Sequence, residues 1–160
     1  MQTGYKVLDV MTNKPIIASK EMSLVEAAKL MDEENVNSLL IEENEKAKGI
    51  ITDEDLVRKV IAKGLDPKKA RLKDVMSQDL VTIKSNRDIY DALILMRQNN
   101  IRQLPVVDND KLVGFLTSKD ILKLQPELFD IFAEKYEIRE QNRKLQDEDP
   151  LFYGLKKKKR

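Results

Sequence analysis

The chain contains no cysteine and no histidine. Without cysteine there is no disulfide, no thiol nucleophile and no thiolate metal site. Without histidine the commonest metal ligand and the commonest general base are gone as well. Most catalytic repertoires disappear with them, so the expectation is a protein that carries no catalytic residue, no catalytic cofactor and no metal centre. No apolar run approaches the roughly 20 residues that span a bilayer, and the opening MQTGYKVLDV lacks the apolar stretch of a secretory signal. A cytoplasmic location, with no membrane partner, is expected by default.

What is present suits one compact soluble domain with a polar appendage: 160 residues, 41% hydrophobic and 36% charged. The formal net charge of +1 hides an asymmetry. Lys156 to Arg160 supply five of the 29 cations, which leaves residues 1–155 with 24 cations against 28 anions. A slightly acidic body with a short basic tip argues against a nucleic-acid partner, which calls for a basic face.

The strongest signal is internal. Thirteen residues of the first half recur in the second at a fixed offset of 65, without insertion: Asp9, Val10, Met11, Ala27, Leu30, Met31, Asn35, Leu39, Asn44, Lys46, Gly49, Thr52 and Asp55. Unrelated segments of this length would share roughly 3 positions by chance, so the chain is an internal duplication. Such a duplication implies a pseudo-symmetric pair with a shared core and two equivalent clefts.

The same element order can be read in each copy. Ile16 to Ala18 and Val81 to Ile83 are short β-prone segments, each followed by a helix start signal, Ser23 with Glu26 and Asp88 with Asp91. Apolar stripes at helical spacing follow, through Leu24, Ala27, Ala28 and Met31 and through Ile89, Ala92, Leu93 and Met96. Two extended segments flank a polar turn in each copy. The turn spans residues 42–48 in the first and 108–110 in the second. A second helix begins at each Thr, and Gly64 offers the first of these a left-handed cap. The expected fold is α+β: repeat 1 over 6–64, a linker over 65–71, repeat 2 over 72–124, each β-α-β-β-α and packed through their sheets.

Gly49-Ile-Ile-Thr52-Asp-Glu-Asp55 and Gly114-Phe-Leu-Thr117-Ser-Lys-Asp120 are the candidate chemistry. Thr followed three residues later by Asp is first of all a helix N-cap with an acidic residue in the first turn, worth about 1 kcal/mol. Three features add a ligand reading. Thr stands where a strand hands over to a helix, so backbone N–H groups can face an anion. Asp one turn on can accept from two vicinal hydroxyls, as a carboxylate grips a ribose. The glycine tolerates a close approach by a ligand. That Gly, Thr and Asp all persist in both copies weighs on the same side.

These residues resemble a tandem pair of cystathionine beta-synthase (CBS) domains, a Bateman module, over about Lys6 to Leu124. The likeness rests on LDVMT and LKDVMS at the repeat starts, on NNIRQLPVVD, and on GIITDED and GFLTSKD. It implies two clefts for adenosyl ligands (AMP, ADP, ATP or S-adenosylmethionine), a flat homodimer and a regulatory role. By the same resemblance Thr52 and Thr117 would contact phosphate, and Asp55 and Asp120 would hold the ribose hydroxyls. Ile16, Ile17, Ala18, Val81, Thr82 and Ile83 would meet the adenine. Arg102 occupies a place where relatives carry a phosphate-binding base, with a solvated surface arginine as the alternative, and Lys119 is a weaker candidate of that kind. Asn37, Ser38 and Leu40 stand where the second copy has Arg102, Gln103 and Pro105, so the sites are expected to be unequal, the second binding nucleotide more tightly.

Past the duplication, residues 125–149 read as one helix with Pro126 at its first position and Leu128, Ile131, Phe132 and Tyr136 as an apolar stripe. Residues 150–160 read as a disordered, solubilising basic tail, or else as a docking element. The expected function is that of a sensor. An adenosine nucleotide, AMP or ADP ahead of ATP, favours one arrangement of the halves and the change passes to a protein partner. The alternatives are an S-adenosylmethionine-binding module, a nucleic-acid-associated protein using its tail, and an enzyme in its own right.

Overall fold

A computed structural model describes residues 2–129. Its elements run α1 (Val7–Val10), β1 (Ile17–Ala18), α2 (Leu24–Glu33), β2 (Ser38–Glu43), β3 (Lys46–Thr52) and α3 (Asp53–Asp55). They continue with α4 (Leu72–Val75), α5 (Ile89–Asn99), β4 (Gln103–Asp108), β5 (Lys111–Thr117) and α6 (Ser118–Leu124). α3 runs on as a π-helical stretch over Leu56–Ile61. Beyond Phe129, the helix read over 125–149 and the tail over 150–160 lie outside the described residues. Pro126 does open a short 3-10 turn, Pro126–Leu128, whose Leu128 is buried in the second core.

Local chemistry explains why the two copies match. Ser23 and Glu26 close a capping box, each side chain accepting from the other's backbone N–H at 3.2 and 2.9 Å. Asp88 caps α5 by accepting from the Tyr90 N–H at 2.8 Å. Asp91, read as its capping partner, pairs with Arg87 instead. Asn35 and Asn100, in left-handed conformation, end the two long helices, a role asparagine tolerates better than most residues. The hairpins turn tightly on Asn44-Glu45 and Asn109-Asp110, with positive φ at both positions, the type I′ geometry that matches strand twist. The turn read over 42–48 is therefore two residues long, and β2 and β3 continue to meet it.

In the first sheet the order is β1-β2-β3, with β1 parallel and β3 antiparallel to β2. The second sheet has only β4 and β5. The strand read over Val81 to Ile83 shrinks to one parallel bridge, Ile83 to Val106, although Ile83 still bonds Pro105 and Val107 through its backbone. β2 is buried on both faces, since Leu39 and Ile41 join the core under α2 while Leu40, also buried, lies outside it. Alternation along a strand sends Leu40 to the opposite face, toward the sister sheet. There the Ser38 hydroxyl donates to Gln103 Oε1 at 3.0 Å. Ser38 and Gln103 are equivalent residues, so this contact marks the pseudo-two-fold axis.

The segments that open each sequence repeat are exchanged. Residues 5–12 pack on the second core, where Val7 is fully buried with Val10 and Met11 beside it, and residues 70–77 pack on the first, through Leu72, Val75 and Met76. Burying one such Val or Leu stabilises by about 1.5–3 kcal/mol. Backbone bonds fasten the exchange symmetrically. Thr12 trades both with Phe115 (2.8 and 2.9 Å), and Ser77 trades both with Ile50 (2.9 and 3.0 Å). Each structural half therefore differs from its sequence repeat: one is residues 13–77, the other 78–129 completed by 5–12.

The exchange also accounts for the paired glycines. A Cβ at Gly49 would stand 2.6 Å from Met76 Sδ, and one at Gly114 would overlap Met11 Sδ and come within 3.0 Å of the Thr12 carbonyl. The close approach expected of a ligand is made by the protein's own methionines.

Candidate functional site

Thr52 ends β3 opposite Ser38, the first residue of β2, and Thr117 ends β5 opposite Gln103, the first residue of β4. β1 runs parallel to β2 with Ile17 opposite Leu40, and the Ile16 carbonyl accepts from the Leu40 N–H at 3.1 Å. Ile16, Ile17 and Ala18 thus share one end of the first sheet with Thr52 and Asp55. In the second half Ile83 lies opposite Val106, and Val81 and Thr82 precede it toward the Thr117 end. Ala18 and Ile83 are buried, Ile16 and Val81 half-buried, and Ile17 and Thr82 exposed. The fold gathers the candidate residues into two equivalent places flanking the pseudo-axis.

Both Thr-x-x-Asp motifs are closed on themselves. The Asp55 N–H donates to Thr52 Oγ1 at 3.1 Å and the Thr52 N–H donates to Asp55 Oδ2 at 3.0 Å. The Asp120 N–H donates to Thr117 Oγ1 at 3.3 Å, while the Thr117 N–H and hydroxyl reach Asp120 Oδ2 at 3.1 and 2.6 Å. The repetition of Thr and Asp is thus fully served by helix capping. Any diol gripped by these carboxylates must use the oxygen that capping leaves over.

That second oxygen differs between the halves. Asp55 Oδ1 pairs with Lys59 Nζ at 2.9 Å. Asp120 takes part in no ion pair among the described residues, and Leu124 stands where Lys59 would. The surroundings differ too. Next to Thr52 come Asp53, whose carboxylate accepts from Asn37 Nδ2 at 2.8 Å, and Glu54, paired with Arg58 at 2.6 Å. Next to Thr117 come Ser118 and the exposed Lys119. The first site carries three carboxylates, of which Glu54 and Asp55 are ion-paired, against Asp120 alone in the second, which makes the first the less favourable place for an anion.

Arg102 lies between the two. Its carbonyl accepts from the Ser118 N–H at 2.9 Å, which holds its backbone beside the second site. Its guanidinium reaches across to Glu54 at 3.9 Å and remains two-thirds exposed. The side chain thus lies at the boundary between the halves. Lys59 and the acidic pair Asp53 and Glu54 were not singled out in the sequence, although comparing positions 53, 54 and 59 with 118, 119 and 124 shows the divergence.

Two open depressions occupy the other end of the sheets, at the starts of the long helices. One is bordered by Ser19, Glu21, Met22, Glu26 and Arg71, the other by Gln2, Lys6, Asn86, Arg87, Asp88 and Asp91. Asp88 is almost fully buried there. Burial works to raise its pKa, but bonds from the Tyr90 N–H, the Thr3 hydroxyl and the N–H groups of Thr3 and Gly4 outweigh it and hold the carboxyl below its usual range. This constellation anchors the exchanged N-terminal segment. No described helix is long and apolar enough to cross a membrane.

Comparison with known proteins agrees with this architecture. The CBS domain family model matches twice, over residues 7–62 and 72–127. The CBS domain-containing protein YhcV of Bacillus subtilis is 36% identical over 115 residues, 72% of this chain and 81% of that protein. The crystal structure of the CBS domain pair of protein MJ0100, in complex with 5′-methylthioadenosine and S-adenosyl-L-methionine, superposes with a TM-score of 0.68 at 34% identity, covering 75% of this chain and 94% of that one. The hexameric CBS-CP12 protein of bloom-forming cyanobacteria gives a TM-score of 0.69 at 25% identity, over 94% of this chain and 91% of that one. The chain belongs to the CBS domain family as a tandem pair.

Proposed function

We propose that this CBS domain pair is a regulatory sensor that binds an adenosine nucleotide, AMP or ADP ahead of ATP, and passes the occupancy of its clefts to a protein partner without chemistry of its own. Carrying the reading is the gathering of Thr117, Asp120 and the Val81 to Ile83 backbone at one sheet end, with the Arg102 backbone held beside them by the Ser118 N–H. In it, Asp120 holds the ribose hydroxyls through Oδ1, Thr117 and Lys119 serve the phosphate, and Arg102, whose backbone stands beside this site, turns from Glu54 to meet the phosphate. Val81, Thr82 and Ile83 line the adenine. Thr52, Asp55, Ile16, Ile17 and Ala18 form the sister site, where the acidic surroundings weaken phosphate binding. A homodimer is part of this reading, with Val57 and Ile61, 57% and 73% exposed, as apolar residues a second copy would cover.

A phosphate-free adenosyl ligand is the second reading. It is favoured by the MJ0100 pair, which holds 5′-methylthioadenosine and S-adenosyl-L-methionine, and by the carboxylates of Asp53 and Glu54 at the first site.

Calorimetry with AMP, ADP, ATP and S-adenosylmethionine on the wild-type chain and on Asp120→Ala tests both readings. The nucleotide sensor requires AMP or ADP to bind more tightly than S-adenosylmethionine and Asp120→Ala to lose about tenfold in affinity, the value of a lost charge-assisted bond. A ligand whose binding ignores Asp120, or whose chemical-shift changes map to the depressions at the far end of the sheets, overturns the assignment.

A further inference from the structure

The first site contains an internal occupant. Lys59 Nζ lies 2.9 Å from Asp55 Oδ1, 3.1 Å from the Val75 carbonyl and 3.0 Å from Ser77 Oγ. An ammonium has three protons, and here each has its own oxygen. The Asp55 carboxylate is left with neither oxygen uncommitted, because Oδ2 already receives the Thr52 N–H. Two of the three acceptors belong to the exchanged segment 70–77, at the end of α4 and just beyond it, so the lysine ties Asp55 to that segment.

Nothing equivalent exists in the second half. The positions of Lys59, Val75 and Ser77 are filled there by Leu124, Val10 and Thr12, and Leu124 is 42% exposed. The helices differ in the same place. After Asp55 the backbone widens into a π-helical stretch, with the Ala62 N–H bonding the Val57 carbonyl five residues back at 2.9 Å, whereas α6 ends with the Gln125 N–H on the Ile121 carbonyl four residues back. A π-helical turn is rare and turns side chains away from their α-helical directions. Here that stretch carries the lysine.

We infer that Lys59 gates the first site: its ammonium occupies the carboxylate that a diol would need, so that site fills only when Lys59 leaves Asp55, and filling it loosens the tie to residues 75–77. Resting on the adenosyl reading above, the inference names the residue that makes the two sites unequal and the segment that moves when the second ligand enters. Lys59 acts through Asp55, as a positioning residue, and touches no ligand in the closed state.

Calorimetric titration of AMP into the intact chain tests this by stoichiometry as well as affinity. Wild type is expected to fill one site per chain well before the other. Lys59→Leu, which copies Leu124, should tighten the weaker site by roughly five- to tenfold, the worth of a partly exposed charge-assisted contact. The reciprocal Leu124→Lys, at an exposed position, should weaken the stronger site by a similar factor. Lys59→Met, which keeps the aliphatic stem and removes the charge, should tighten the weaker site as Lys59→Leu does, a result that a purely structural role for the stem would not give. Weaker binding in Lys59→Leu would assign the lysine to the ligand and overturn the inference, as would unchanged binding in both Lys59→Leu and Leu124→Lys, while loss of binding in Asp120→Ala would still uphold the underlying reading. If Asp120→Ala leaves AMP binding intact, that reading fails and takes the gate with it.

Discussion

Residues 13–77 and the second half, 78–129 completed by 5–12, share a scaffold down to the left-handed asparagines, the hairpin turns and the Thr-x-x-Asp capping boxes. They part in the third strand of the first sheet, in the π-helical stretch after Asp55 and, in charge, at a handful of side chains around one sheet end. In the first half the capping aspartate is clamped by Lys59 and flanked by Asp53 and Glu54; in the second its counterpart keeps an oxygen unclaimed among the described residues and has Ser118 and Lys119 beside it. Duplication preserved what each half needs to fold. Charge, which the scaffold does not constrain, is where the halves became different.

Substituting the paired glycines puts the shared scaffold under the largest strain. Gly114→Ala brings a Cβ against both Met11 and the Thr12 carbonyl, and is expected to destabilise by about 2–3 kcal/mol, with Gly49→Ala nearer 1–2 because Ser77 O stands farther off at 3.3 Å. Urea denaturation of the two variants reads this, and equal, negligible losses would show that the methionines simply swing aside.

Next in size is the contrast between the aspartates. Both Asp→Ala changes remove a cap worth about 1 kcal/mol. In calorimetry Asp120→Ala should reduce AMP affinity about tenfold at the tighter site, and Asp55→Ala should leave that site within about twofold. A larger loss from Asp55→Ala would reverse the proposed ranking of the halves.

Arg102→Ala sharpens the same contrast by ligand class. It should weaken AMP or ADP about fivefold and S-adenosylmethionine hardly at all, since only the former bring a phosphate to the guanidinium. An equal loss for both would remove Arg102 from the phosphate.

The smallest effect concerns acid. Asp88 and Ser23 are equivalent helix caps, and only the former titrates. Because Asp88 is held below its ordinary 3.8 in the folded chain, its contribution is complete above that value and is lost as pH falls through the folded pKa. Stability of the wild type relative to Asp88→Ser, compared by urea midpoints at about pH 6 and about pH 3, should therefore decline toward acid. A difference independent of pH would mean the carboxylate keeps its charge-stabilising bonds in the unfolded chain.

The fixed offset of 65 made the α+β repeat, its element order and its helix caps legible, because periodicity and capping are local. The exchange of residues 5–12 and 70–77 was not, and the reason is physical. Two near-identical cores offer each DVM segment two equally good seats, so apolar pattern alone cannot say which is taken. The strand at Val81 to Ile83 failed as a full strand because only Ile83 reaches the register of β4. Thr52, Asp55, Thr117 and Asp120 were found through their motif, yet the structure assigns them a capping role that the motif had also contained. Lys59 was within reach: four residues after Asp55 and facing a leucine in the sister copy, it is the kind of lone divergence that marks a division of labour.

The two crossed lead-in segments bear on how the molecule is born. As the chain leaves the ribosome, residues 13–77 already hold everything their half requires and can close at once. The stretch from Tyr5 to Thr12, made before them, must wait for Ser85 to Ile89 to receive its first part and for Phe115 to receive Thr12. That lead-in is thus fastened only after the half that follows it has closed, so loosening it opens the seam of one half and leaves the seam of the other, at Ile50 and Ser77, untouched.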